Sequence, residues 1–169
     1  IHAFKEYDAS EIIMGLHEKK TDGDKFWGIF TPDLVNQLNR QIILCRCNRP
    51  LNTLRRIVVA VPSRVEFEQG FYRWIERLAR LAENLSCRII FHGRIESTSL
   101  INEYIRNQHP GVRAEYVLME HWKEFTQLAQ QMSSDHMLVV ISARQGTVSY
   151  KPVFERLPLE LYRHYHEHN

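Results

Sequence analysis

The sequence is poor in cysteine: Cys45, Cys47 and Cys87 are the whole complement in 169 residues. An odd count without framework spacing excludes a disulfide-stapled secreted scaffold and suits a reducing compartment. Cys45 and Cys47, two apart, share one face of a strand and read as small core residues rather than a metal pair. No apolar run approaches the roughly 20 residues that span a bilayer, and no segment has the pattern of a signal peptide. An excess of one charge sign is missing too. Lys and Arg number 22 against 20 Asp and Glu, and a net charge of +2 is too small to imply a nucleic-acid partner. Paired catalytic carboxylates, a nucleophile triad and an intact phosphate loop are all lacking, so no enzymatic activity and no cofactor are expected. Histidine is plentiful, but His121 and His136 have no Cys or carboxylate at metal spacing. His164, His166 and His168 alternate and cannot share a helix face, so no metal is expected either.

What the chain has instead is alternation between apolar runs and helical stripes. Ile57 to Val61 is a β-branched run closed by Pro62, the signature of a strand buried on both faces. Phe67, Phe71, Trp74, Ile75, Leu78, Leu81, Ala82 and Leu85 then recur at three- and four-residue steps, which predicts a helix from Phe67 to Leu85. Arg88 to Phe91 follows as a second strand, and the three together make a right-handed βαβ unit. Further along, helices are expected over Ser97–Gln108, His121–Met132 and Val153–Tyr165. Strands are expected over Val112–Leu118 and Met137–Ile141, with a polar loop from Ser142 to Lys151. Trp27, Trp74 and Trp122 read as core anchors.

Before the βαβ unit, Glu11–Met14 is a short strand ending at Gly15, and Leu16–Gly28 is a polar loop. Thr31-Pro32 starts a helix whose stripe is Leu34, Val35 and Leu38. Gln41–Cys47 is another strand. Asn48–Thr53 is a polar connector, and the main boundary falls there, between residues 1–50 and 51–169. Arg46, Arg49, Arg55 and Arg56 surround it as a solvated cluster. The first piece repeats the tail of the second with one strand more: EIIMG corresponds to MLVVIS, and TPDLVNQLNR to KPVFERLPLELYRH. The second piece has no counterpart of QIILCRC (Gln41–Cys47). That strand is therefore expected to complete the edge beside Met137–Ile141. It would do so within one chain or in a neighbour, making a homodimer through this edge.

These residues resemble a known family. The element order, with ASEIIMG (Ala9–Gly15) as a fourth strand, is similar to universal stress protein domains. More narrowly, PLNTLRRIVVAVP, EQGFYRWIERL and LVVISARQGTVSY resemble the cytoplasmic C-terminal region of monovalent cation:proton (Na+/H+) antiporters, in which two such domains follow the membrane helices. The resemblance covers essentially the whole chain and is specific in Pro50–Pro62 and Ser142–Tyr150. It implies an α/β fold with an open, doubly wound, mostly parallel, Rossmann-like sheet of order 3-2-1-4-5. Residues 1–50 would close a first repeat, and 51–169 would be a second repeat lacking its last strand. It implies a non-enzymatic regulatory or interaction domain at the cytoplasmic face of the membrane, whose partner is the membrane transport domain of the same polypeptide. The alternative is a soluble tandem universal stress protein that binds adenine nucleotide.

In that family a G-x2-G-x9-G-S/T loop after the fourth strand cradles phosphate, because glycines let backbone N–H groups approach the anion. Here the first copy reads Gly15, Glu18, Gly28, Ile29, and the second reads Ser142, Gln145, Glu155, with Gly146 one residue off. Pro62 stands where an Asp would hold adenosine. Glu18 and Glu155 repel phosphate, so ATP binding in the family's manner is not expected. The residues left as candidates for a small anionic ligand are Ser142, Arg144, Gln145, Gly146 and Ser63 at the sheet's carboxyl edge. Gly15 and Gly28 are the remains of a phosphate loop in the first repeat.

Overall fold

A computed structural model of the chain describes residues 11–15, 41–45 and 50–155. Among the described residues six strands are formed: β1 (Glu11–Gly15), β2 (Gln41–Cys45), β3 (Arg56–Ala60), β4 (Arg88–Gly93), β5 (Ala114–Leu118) and β6 (His136–Val140). Among the described residues three α-helices lie between β3 and β6: α1 (Phe71–Leu85), α2 (Ile95–Gln108) and α3 (Phe125–Gln130). The larger sheet is wholly parallel, with order β5-β4-β3-β6. Numbered within residues 51–155, that order is 3-2-1-4.

The centre of this sheet is β3, and its composition follows from its place. Ile57, Val59 and Val61 point to one face and pack with Trp74, Ile75 and Ala82 of α1 and with Ile101 and Ile105 of α2. Ala60 points to the other face, in a second cluster with Phe125 and Ala129 of α3 and with Phe154. A strand covered on both sides tolerates no polar residue, and the run Ile57–Val61 contains none. The fold class is thus α/β with a parallel sheet and helices on both faces, compatible with a Rossmann-like architecture. Among the described residues no helix is long and apolar enough to cross a membrane.

Three sequence expectations need correction. First, α1 begins at Phe71, not Phe67. Val65–Phe67 forms a separate 3-10 turn, and Gly70, at φ 92°, redirects the chain before the helix starts. Phe67 continues the apolar spacing but is left 72% exposed. Second, the segment His121–Met132 splits into a 3-10 turn, Trp122–Glu124, and the short α3. The split is fixed by the Glu124 carboxylate, which accepts the His121 backbone N–H at 2.8 Å. Third, within the chain β2 pairs with β1 rather than with β6. The two form a parallel pair in register from Glu11↔Gln41 to Gly15↔Cys45. Strands successive in sequence are usually neighbours in space, and β1 and β2 follow that rule. Beside β6 the only paired strand among the described residues is β3. The expected loop Leu16–Gly28, the helix at Thr31-Pro32, Cys47 and most of the last helix lie outside the described residues. Of that last helix, a 3-10 turn, Pro152–Glu155, is described.

The end of α1 is built as the sequence requires. Ser86 takes a left-handed φ of 51°, its N–H donates to Glu83 O at 3.0 Å, and the Cys87 N–H donates to Ala82 O at 3.1 Å. These paired bonds satisfy the last helical carbonyls and turn the chain into β4.

Candidate functional site

In a parallel sheet of order 3-2-1-4 the crossovers leave β3 in opposite directions, and a crevice opens between the carboxyl ends of β3 and β6. Ala60 pairs with Val140 in the β3–β6 register, and the Ile141 N–H donates to Ala60 O at 3.0 Å. The segments that follow, with Ser63 on one side and Ser142–Gly146 on the other, therefore start from neighbouring strand ends. The structure thus places these five sequence candidates at the carboxyl edge. Gly15 closes β1 in the separate two-stranded sheet, and Gly28 lies outside the described residues.

The loop after β6 is folded on itself. Gly146 adopts φ 90°, and the Thr147 N–H and hydroxyl both donate to Arg144 O, at 3.1 and 2.8 Å. The next donors are already taken by an anion of the chain itself. The Ser149 N–H and the Ser149 hydroxyl both donate to Glu68 Oε1, each at 2.7 Å. Ser149 is buried, and Glu68 belongs to the segment between β3 and α1. Burial pushes the Glu68 pKa up, but the donors from Ser149 and the Val148 N–H outweigh it and leave it lowered. A carboxylate thus sits on the hydrogen-bond donors of the β6 loop at the topological switch point. Those are groups an anionic ligand would need.

The same segment sends a second carboxylate the other way. Ser97, fully buried in the first turn of α2, donates its hydroxyl to Glu66 Oε2 at 2.6 Å. Glu66 and Glu68 therefore tie the β3–α1 segment to α2 and to the β6 loop respectively. A cavity of about 400 Å³ lies beside it, lined by Arg64, Glu66, Phe67, Arg94, Glu96 and Leu100 among others. None of the ligand-binding candidates read from the sequence lines it.

A second polar cluster clamps α1 to α2. His109 caps the C-terminus of α2 and is nearly buried. Its Nε2 lies 2.6 Å from Glu76 Oε2 and its Nδ1 3.2 Å from Glu83 Oε1, both on α1. The Tyr104 hydroxyl donates to Glu76 Oε2 at 3.0 Å, and Arg80 Nε donates to Glu76 Oε1 at 2.5 Å. The His109 and Arg80 bonds hold the Glu76 carboxyl down at about 2. Burial pushes His109 down, but the two carboxylates outweigh it and raise its pKa. A cation at the last turn of a helix also meets the negative end of the helix dipole.

Sequence reasoning found the carboxyl edge and missed the groups that occupy it, Glu68 and Ser149. The available signal was EFEQG, two acidic residues in a short segment after the central strand. Cys87 is buried, and burial raises its thiol pKa, which suits a core residue. Among the described residues no group of three or more His, Cys, Asp or Glu side chains is placed to hold a metal ion. No family model matches the chain, and neither a curated protein nor a solved structure shows significant similarity to it.

Proposed function

We propose that this chain is a non-catalytic regulatory or interaction unit of a monovalent cation:proton antiporter, with universal-stress-like repeats, working at the cytoplasmic face of the membrane. Its partner is the membrane transport part of the same polypeptide. It acts by binding one transporter conformation more tightly than another, since only differential affinity shifts such an equilibrium. Two lines support the reading. The segments Pro50–Pro62 and Ser142–Tyr150 resemble that antiporter region, and the parallel sheet with its 3-2-1-4 order is compatible with a universal-stress-like unit. The observation that carries the non-catalytic part is the Glu68 carboxylate on the Ser149 donors, which places a fixed negative charge where nucleotide phosphate would approach.

The test of the transporter context is the reading frame that precedes Ile1. Sequencing it should reveal about ten or more apolar stretches of ~20 residues. A polar α/β half-domain opening at a Met would sink the proposal and leave the soluble nucleotide-binding alternative.

A further inference from the structure

The last two turns of α2, the turn at Pro110 and the first half of β5 border a cavity of about 260 Å³. Ala114 opens β5, so in this parallel sheet the cavity lies toward the amino ends of the strands, away from Ser63 and the β6 loop. Much of its wall is apolar. Ile105 is buried under α2, Val112 leads into β5, and the Tyr116 ring stacks on Phe91 at 5.8 Å. Three polar groups interrupt that wall: the Asn102 amide, the Arg106 guanidinium and the Tyr116 hydroxyl. None of the three has a hydrogen-bond or ion-pair partner among the described residues. Asn102 and Arg106 are four apart and share one face of α2. The Tyr116 hydroxyl is buried, and folded proteins pair nearly all such groups, so an orphan points to a partner that the chain does not supply.

The donors select the chemistry of that partner. Arg106 donates only and is charged, and the Asn102 amide and Tyr116 hydroxyl can each donate beside it. His109 also lines the cavity, but its ring nitrogens are taken by Glu76 and Glu83. Among the described residues no carboxylate lines it. One cation, two neutral donors and no anion, set in an apolar wall, match a carboxylate carried on an apolar body. Size narrows the class. At about 30 Å³ per molecule the cavity equals eight or nine waters, which suits a ligand of about that many non-hydrogen atoms. A nucleoside triphosphate is too large for it.

We propose that this cavity is a binding site for a small organic monocarboxylate. Arg106, Asn102 and the Tyr116 hydroxyl donate to the carboxylate, and Ile105 and Val112 pack against the apolar body. The site depends neither on the transporter context nor on the carboxyl edge. A ligand of this size makes few contacts, so the dissociation constant should be on the order of 0.1–1 mM.

Benzoate is a probe of that size, and benzylamine matches its shape with the opposite charge. Amide NMR titration of the 169-residue chain with each tests the site. With benzoate the signals of Ile105, Arg106, Val112 and Tyr116 should move together and saturate. Benzylamine should bind about tenfold or more weakly, since Arg106 then repels the ligand. Arg106→Gln, at an exposed position, and Tyr116→Phe should each weaken benzoate about tenfold or more, because each removes a donor to a charged group. No saturation at these residues by ~10 mM benzoate overturns the proposal. Equal binding of benzylamine overturns it too, as do saturable shifts confined to the β6 loop. Either variant binding benzoate as wild type does, with its spectrum native elsewhere, overturns the assignment.

Discussion

Trp74→Ala should destabilise the fold by about 3–5 kcal/mol, the usual result of removing a large aromatic from a packed core. Trp74 lies on the inner stripe of α1, almost fully buried. Its ring meets Phe71 edge-on at 5.6 Å and tilts against Phe91 of β4 at 6.5 Å. Phe91 in turn stacks on Tyr116 of β5 at 5.8 Å. Truncation therefore opens a void between the helix and two adjacent strands, which close-packed neighbours cannot fill. For a chain of 169 residues the loss corresponds to roughly 6–20 °C in melting temperature, measured by far-UV circular dichroism. A variant that melts within a few degrees of wild type would show that α1 does not use this face against the sheet.

The second large effect is a dependence of stability on pH that passes through His109. Its folded pKa is raised above the unfolded value of about 6.5. A raised pKa means that the folded state holds the proton more tightly. The stabilisation is thus fully present below about pH 6.5 and is lost as pH rises through the folded pKa. Glu76 behaves in the opposite sense. Its pKa is depressed to about 2, so its contribution is present above its ordinary value of 4.5 and fades only in strong acid. Between these limits both partners are charged and the clamp is complete. The groups facing His109 are Glu76 and Glu83 from α1 and Tyr104 from its own helix, and Arg80 donates to Glu76. His109→Gln keeps a hydrogen-bonding side chain but cannot carry the charge. At pH 6 the variant should melt roughly 5 °C or more below wild type. The gap should narrow steadily up to pH 9. Parallel melting curves across that range would exclude an ionised His109 from the clamp.

Much of the fold is legible in the residues because burial imposes a period. Ile57–Val61 is short, rich in β-branched residues and closed by Pro62, which favours a covered strand, whereas the Phe71–Trp74–Ile75–Ala82 spacing is that of a helix. Phe67 shows where the period misleads. It stands four residues before Phe71, and only the left-handed Gly70 between them separates the turn from the helix. The partner of β2 was illegible for a different reason. QIILC is apolar enough to sit beside either β1 or β6, and nothing within a strand states which neighbour it takes. The carboxyl edge followed from the strand ends alone, so Ser63 and Ser142–Gly146 could be placed there. Glu68 and Ser149 are 81 residues apart, and their bond exists only once the sheet is closed. The same is true of Ser97 and Glu66, 31 residues apart, and of His109 and Glu76, 33 apart. Contacts of this kind leave no trace in spacing.

The β6 loop holds the chain's own carboxylate on donors that an anionic ligand would need. Isothermal titration of the 169-residue chain with ATP and Mg²⁺ at neutral pH tests it most directly. With the Ser149 N–H and hydroxyl donating to an ionised Glu68, and Pro62 buried after β3, the expected result is dilution heat only, with no saturation. A clean 1:1 isotherm with a Kd below ~100 μM would contradict it and restore the nucleotide-binding reading.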